Sequence, residues 1–233
     1  MKKIILLFTG VVFSLGLIAQ INDPNAQVRE AKNFHGISVS NAFDVYLNQS
    51  NEEAVAVSAS STKDRDMITV EVKNGVLHIG LHKDWKWNKG NKKLKAYISF
   101  KEIDKLIVSG ACDVYITGVL KAESLSINQS GASDVKGKLE VGKLTVDLSG
   151  ASDMTVTGRA TQLSVEASGA SDFKGFDLVT ETCAAKASGA SDVKVTVNKE
   201  LSAQASGASD VKYKGNGVIR DIKSSGSSSV SRG

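Results

Sequence analysis

The amino-acid sequence predicts an all-β protein built as a parallel β-helix, or solenoid, with coils of about 19–20 residues. An N-terminal β lobe with longer strands and hairpins precedes the repeats. Two observations predict this. A hexapeptide, SGASDV or a near variant, recurs along the C-terminal half, and between its copies apolar and polar residues alternate. The motif's glycine falls at Gly110, Gly131, Gly150, Gly169, Gly189, Gly207 and, in a degenerate SSGSSSV copy, Gly226, at spacings of 21, 19, 19, 20, 18 and 19 residues. That period is too long for a heptad and too short for two-helix repeats of about 33 residues or more.

Within each unit the period is two, the mark of a half-buried strand. Leu144, Val146 and Leu148 alternate with Thr145 and Asp147 before one glycine, and Leu163, Val165 and Ala167 do the same before the next. After each motif the alternation resumes, as in Met154 and Val156 or Val193, Val195 and Val197. Each unit therefore reads as strand, SGAS corner, strand and turn. Evenly spaced strands also suit an antiparallel meander or barrel. Near-identity of the units favours stacking, because every coil of a solenoid meets the same environment and shares one core with its neighbours.

Stacking also accounts for the hexapeptide. Glycine permits a tight bend and close backbone approach, and Ala and Ser fit a corner where coils lie about 4.8 Å apart. An aspartate at such a bend can accept hydrogen bonds from nearby backbone N–H groups. Asp113, Asp134, Asp153, Asp172, Asp192 and Asp210 are expected to form a structural ladder along one edge. Carboxylates at that spacing repel by about 0.9 kcal/mol in water. Lys136, Lys174, Lys194 and Lys212 stand two residues further on, on the same strand face, and offset that repulsion.

A copy of the corner lies upstream. VSNAFDVYL at residues 39–47 matches VSGACDVYI at 108–116 position for position. Three alternating runs lie between them, and Asn74-Gly75 within the middle run supplies a β-hairpin turn. The domain reading is a signal peptide at 1–19, an all-β lobe at 20–105 continuous with the helix, and the SGASDV-repeat lobe at 106–233. The first segment has two lysines, an apolar run and a small residue, Ala19, before Gln20, the three-part layout of a secretory signal. The expected location is exported: periplasmic, outer-surface or extracellular, with no membrane-spanning segment in the mature chain.

Composition narrows the function. The formal charge of +4 includes Lys2 and Lys3 of the signal, too mild a balance for nucleic acid, whose binders carry a concentrated basic face. Cys112 and Cys183 sit four coils apart, about 19 Å at β spacing, beyond the reach of a disulfide, so both are expected to be unpaired. The Asp ladder lacks the nine-residue G-G-x-G-x-D pattern of calcium-binding rolls, and one carboxylate per rung beside lysine is a poor supply for a cation that takes six to eight oxygens. No metal and no cofactor are expected. His35, His78 and His82 lie outside the repeats and no nucleophile motif accompanies them, so no catalytic residue is assigned. The candidate binding residues are Trp85 and Trp87 with Lys83 and Lys86, in HKDWKWNKGNKK, an aromatic and cationic patch suited to glycan rings, anionic polymers or lipid headgroups. The competing reading is a hairpin loop whose tryptophans cover the end of the core.

A chain with SGASDV repeats led by GISVSNAFDVYL resembles the head GIN domain family of auto-transporter adhesins, widespread in Bacteroidetes and long catalogued as a domain of unknown function. The resemblance runs from about Phe34 to Val230. It implies a parallel β-helix similar to pectin lyase-type folds without their catalytic residues, and a role in adhesion; it brings no site residues. Nothing in the sequence resembles the membrane barrel that self-transport requires. The expected function is a non-enzymatic exported β-helix protein, an adhesin or module binding a cell-surface glycan or an envelope protein. The alternatives are a polysaccharide-active β-helix enzyme and a purely structural cell-envelope protein. The oligomeric state is open.

Overall fold

The computed structural model describes residues 23–86 and 93–233, so the segment read as a signal peptide lies outside the described residues. About two thirds of the described residues are strand, with almost no helix, and they wind into a parallel solenoid of about seven turns. The corner residues explain why. In each coil the motif glycine has a positive φ, between 77° and 87°, and the following residue donates its backbone N–H to the carbonyl of the glycine one coil below. The series runs Ala132 to Gly110, Ala151 to Gly131, Ala170 to Gly150, Ala190 to Gly169 and Ala208 to Gly189, all at 2.7–2.8 Å. A Cβ placed on Gly169 would lie 2.6 Å from the carbonyl oxygen of Gly150. Only glycine allows both the left-handed turn and this approach.

The serine before each aspartate completes the corner. Ser133, Ser152, Ser171, Ser191 and Ser209 are fully buried, and each hydroxyl donates to the carbonyl three residues earlier, at 2.8–3.1 Å. Ser191 and Ser209 also accept the N–H of Ser188 and Ser206. The expectation that the aspartate accepts at the bend is therefore corrected. The pleat turns serine inward and the next side chain outward, so the corner's backbone groups fall within reach of serine.

Long strands run from corner to corner. Strands β9 (Asp113–Gln129), β10 (Asp134–Leu148), β11 (Asp153–Ala167), β12 (Asp172–Gly189) and β13 (Asp192–Gly207) pair in parallel, in that order. Aspartate pairs with aspartate at every step. Inward residues form apolar columns, of which one runs Val114, Val135, Met154, Phe173, Val193 and Val211, each at most 1% exposed. The uneven period is absorbed away from the corner. Register shifts fall between Lys136 and Lys138, Thr155 and Gly158, and Gly175 and Val179, on the bend that follows the first arm of each coil.

The first coil is made by β2 (Gly36–Val39) and β3 (Phe43–Gln49). Here Asn41 takes the glycine's place, with φ 81°, and its carbonyl accepts from Ala111. The chain returns through β8 (Lys105–Val108), which stacks on β2, while β9 stacks on β3. In between, the N-terminal end is closed on two sides. β6 (Val76–Leu81) runs parallel beneath β2, and β5 (Ile68–Lys73) pairs antiparallel with β6 through the Asn74-Gly75 turn. β7 (Leu94–Phe100) runs parallel beneath β3, followed outward by β4 (Ala54–Ser58) and β1 (Gln27–Arg29), both antiparallel. At the other end β14 (Asp210–Lys214), β15 (Val218–Gly226) and β16 (Ser229–Arg232) form the last coils.

Gly118 has φ 78°, but a Cβ added there would meet no atom within 4 Å beyond its chain neighbours. Comparing it with a corner glycine therefore isolates the stacking contribution. Gly118→Ala is expected to lower unfolding stability by about 1 kcal/mol, through backbone strain alone. Gly169→Ala, at φ 77°, adds the collision and exceeds that loss by about 2 kcal/mol or more. Urea titrations of the two variants read the difference.

Candidate functional site

The feature that the solenoid multiplies is one outward face of its first arm. Asp44, Asp113, Asp134, Asp153, Asp172, Asp192 and Asp210 stand in direct register, ending on Ser229. The six aspartates expected from sequence are thus joined by Asp44, which SNAFDV carries in the same position as the other corners. The neighbouring column, two residues on, runs Tyr46, Tyr115, Lys136, Thr155, Lys174, Lys194 and Lys212. Its lysines serve the acids unequally. Lys136 lies 3.1 Å from Asp134, and Lys174 lies 2.6 Å from Asp153 and 3.6 Å from Asp172. These contacts hold both lysines' pKa values above the ordinary range.

At the N-terminal end of the face tyrosines replace lysines. Tyr97 pairs with Tyr46 across β7 and β3, and Tyr46 with Tyr115 across β3 and β9. Their rings stack with centroids 5.2 and 5.5 Å apart and interplanar angles of 14° and 22°. Because the faces cover one another, the stack turns its edges outward. The Tyr97 hydroxyl donates to Asp23 at 2.9 Å, and burial, with that bond, raises its pKa. Beside this stack Asp113 has its carboxyl pushed up, first by burial and then by the charges of Asp134 and Asp44. The face therefore grades from a carboxylate and phenol zone to a zone of alternating charge.

The sequence-derived patch is placed differently. Trp85 is half-buried and packs against the hydrophobic core, while Lys83 and Lys86 are exposed. Trp87 lies outside the described residues. A second polar groove, lined by residues including His35, Glu102, Asp104, Lys121, Glu123 and Glu140, lies at the bend beside β8. His35 Nδ1 is 3.0 Å from Asp104 there and Lys121 is 3.3 Å from Glu140. Among the described residues no group of His, Cys, Asp or Glu is arranged to hold a metal ion, and no helix is long and apolar enough to cross a membrane. Cys112 and Cys183 are buried and free. Cys112 takes a corner-serine position and donates to Ser109; Cys183 follows Leu163 in an inward column. Burial pushes their thiols up to about 11 and about 12.

The missed site residues are Tyr46, Tyr97 and Tyr115. The shared DVYL and DVYI strings signal that Tyr46 and Tyr115 align. Tyr97 has no such signal, because its place in the stack depends on β7 joining the solenoid.

The family described as "Putative auto-transporter adhesin, head GIN domain" matches residues 33–217. Comparison with curated proteins gives no match. Among solved structures, a "putative adhesin" from Bacteroides fragilis is similar with a TM-score of 0.83 and 22% identity, over 89% of this chain and 95% of that one. A "putative adhesin" from Parabacteroides merdae gives 0.69 and 18%, over 89% and 95%. A "Putative lipid binding protein" from Parabacteroides distasonis gives 0.68 and 21%, over 91% and 98%. At these identities the likeness is one of fold.

The raised Asp113 carboxyl has a consequence for stability. A carboxyl whose folded pKa exceeds its unfolded value destabilises the native state once ionised, and the penalty vanishes below the unfolded value. Asp113→Asn is therefore expected to be more stable than the parent near pH 7. The gain should disappear as pH falls below the ordinary aspartate value of 3.8. Urea midpoints across that range check it, and a stability loss at neutral pH would contradict the assigned crowding.

Proposed function

The chain belongs to the head GIN domain family, and from that premise we propose that it is a non-enzymatic, exported adhesion module. Its binding surface is the aspartate face, with the tyrosine-edged end as its centre. The partner is a cell-surface glycan or an envelope protein, and a glycan suits the chemistry better. Carboxylates accept hydrogen bonds from sugar hydroxyls, and phenol edges both donate and accept them.

The observation that carries this reading is the unbroken register of seven aspartates from Asp44 to Asp210. A polymer with regularly spaced hydroxyls meets the same groups at each rung, so weak contacts add along a rigid array. Export agrees with the adhesin name of the family, and the sequence reading supplies the signal. Trp85, Lys83 and Lys86 form a secondary candidate contact near the closed end, where Trp85 also covers core.

Two rival readings stay in view. A polysaccharide-cleaving enzyme needs two carboxylates placed on either side of a bond, whereas these stand in a single file. A purely structural envelope protein would bind nothing.

A glycan array probed with the purified chain, beside turnover assays on the same glycans and binding to phospholipid vesicles, distinguishes the readings. Saturable glycan binding is expected, weakened about tenfold or more in the Asp44→Ala/Asp113→Ala and Tyr115→Ala variants. Lys83→Ala/Lys86→Ala should change it little. Binding lost only in the lysine variant would move the site to the Trp85 loop. Turnover would establish the enzyme, and vesicle binding alone would shift the ligand class to lipid.

A further inference from the structure

The two ends of the solenoid differ. At the N-terminal end the outermost strands, β5 and β1, are antiparallel to their neighbours β6 and β4. At the C-terminal end β15 pairs with β13 on one side only, so its other edge presents unpaired backbone groups, among the described residues. The corner of this coil, in SSGSSSVSRG, is polar. The strand leading into it is not. Ile219 stacks over Leu201 and Ile222 over Ala203, in columns where Leu201 and Ala203 are 1% and 0% exposed. Yet Ile219 and Ile222 are themselves 43% and 38% exposed, and Val218 is 58% exposed. An open edge with apolar side chains beside it is the feature that sheet proteins usually guard against.

We propose that β15 is a homodimer interface, pairing antiparallel with β15 of a second copy about a twofold axis at Ile222. Head-to-tail continuation of the coils would need the strand edges beneath β2 and β3, which β6 and β7 already take. The surface that remains is self-complementary, which is the requirement for a closed twofold contact.

Side-chain charge selects the register. Asp221 and Lys223 both face outward and lie 2.9 Å apart within one chain. With Ile222 on the axis, Asp221 stands opposite the second copy's Lys223, and Lys223 opposite its Asp221, a favourable cross-strand arrangement at both places. Centring on Asp221 or Lys223 sets like charges face to face. Centring between residues sets inward side chains against outward ones, which the pleat forbids. The Ile222 register also brings two partly exposed isoleucines together at the junction of the two cores. This inference rests on the strand geometry and is independent of what the aspartate face binds.

Light scattering coupled to size-exclusion chromatography, on the purified chain over a concentration series, tests it. Dimers are expected at micromolar concentration. Asp221→Lys and Lys223→Asp should each raise the dissociation constant about tenfold or more, and the Asp221→Lys/Lys223→Asp double variant should return it to within about threefold of the parent. Ile222→Lys should give monomer with an unchanged circular dichroism spectrum. The charge variants keep the test valid if that substitution disturbs the last coil. A parent that stays monomeric up to about 100 μM, a dimer indifferent to the charge substitutions, failure of the double variant to restore, or assemblies that grow without limit would each overturn the proposal.

Discussion

Every coil of this protein is fixed by one contact, the N–H of the residue after the corner glycine donating to the carbonyl of the glycine below it. The bonds are short, 2.6–2.8 Å from Ala111 to Ser227, and they leave no room for a side chain on Gly169, Gly189 or Gly207. Buried serines hold each turn from the inside. Because that corner never slips, the variable length of the coils is pushed to the opposite bend, and the arm beginning at aspartate starts at the same point in every turn. The aspartate ladder is a consequence of the corner stack.

The same constraint decides what was legible in the sequence. The corner is local, so its glycine, its period and its copy in SNAFDV could be read, and with them the parallel solenoid and the order of the aspartates. Direction of the side chains at the bend was harder. Aspartate and serine are both good turn acceptors, and only the pleat assigns that task to Ser171 or Ser191 and sends Asp172 or Asp192 outward. The antiparallel closure by β1, β4 and β5 carries no repeat, so the stacking of Tyr97 on Tyr46 had no sequence signature. Ile219 and Ile222 look like ordinary core residues in the chain. Their exposure arises because, among the described residues, β15 has a pairing strand on one side only.

For function, the corner stack turns a modest chain into a rigid ruled surface. Seven carboxylates follow one line, matched by lysines over part of its length and by stacked tyrosines at one end. In the proposed reading such a face would bind by repetition, with the most concentrated carboxylate charge where Asp113 is crowded by Asp44 and Asp134. The antiparallel strands at the N-terminal end and the parallel β15 at the other give the array a direction. Pairing through β15 would double the face's length and present two tyrosine ends at opposite extremes, an arrangement suited to bridging two surfaces.

Native-state hydrogen exchange tests the central claim most directly. If the corner contact fixes the coils, the amides of Ala132, Ala151, Ala170 and Ala190 exchange only through global unfolding, with the same free energy as the strand amides of their own coils. Corner amides that exchange far faster than Val135, Met154 or Phe173 would contradict the account, because the strands would then hold the corners in place.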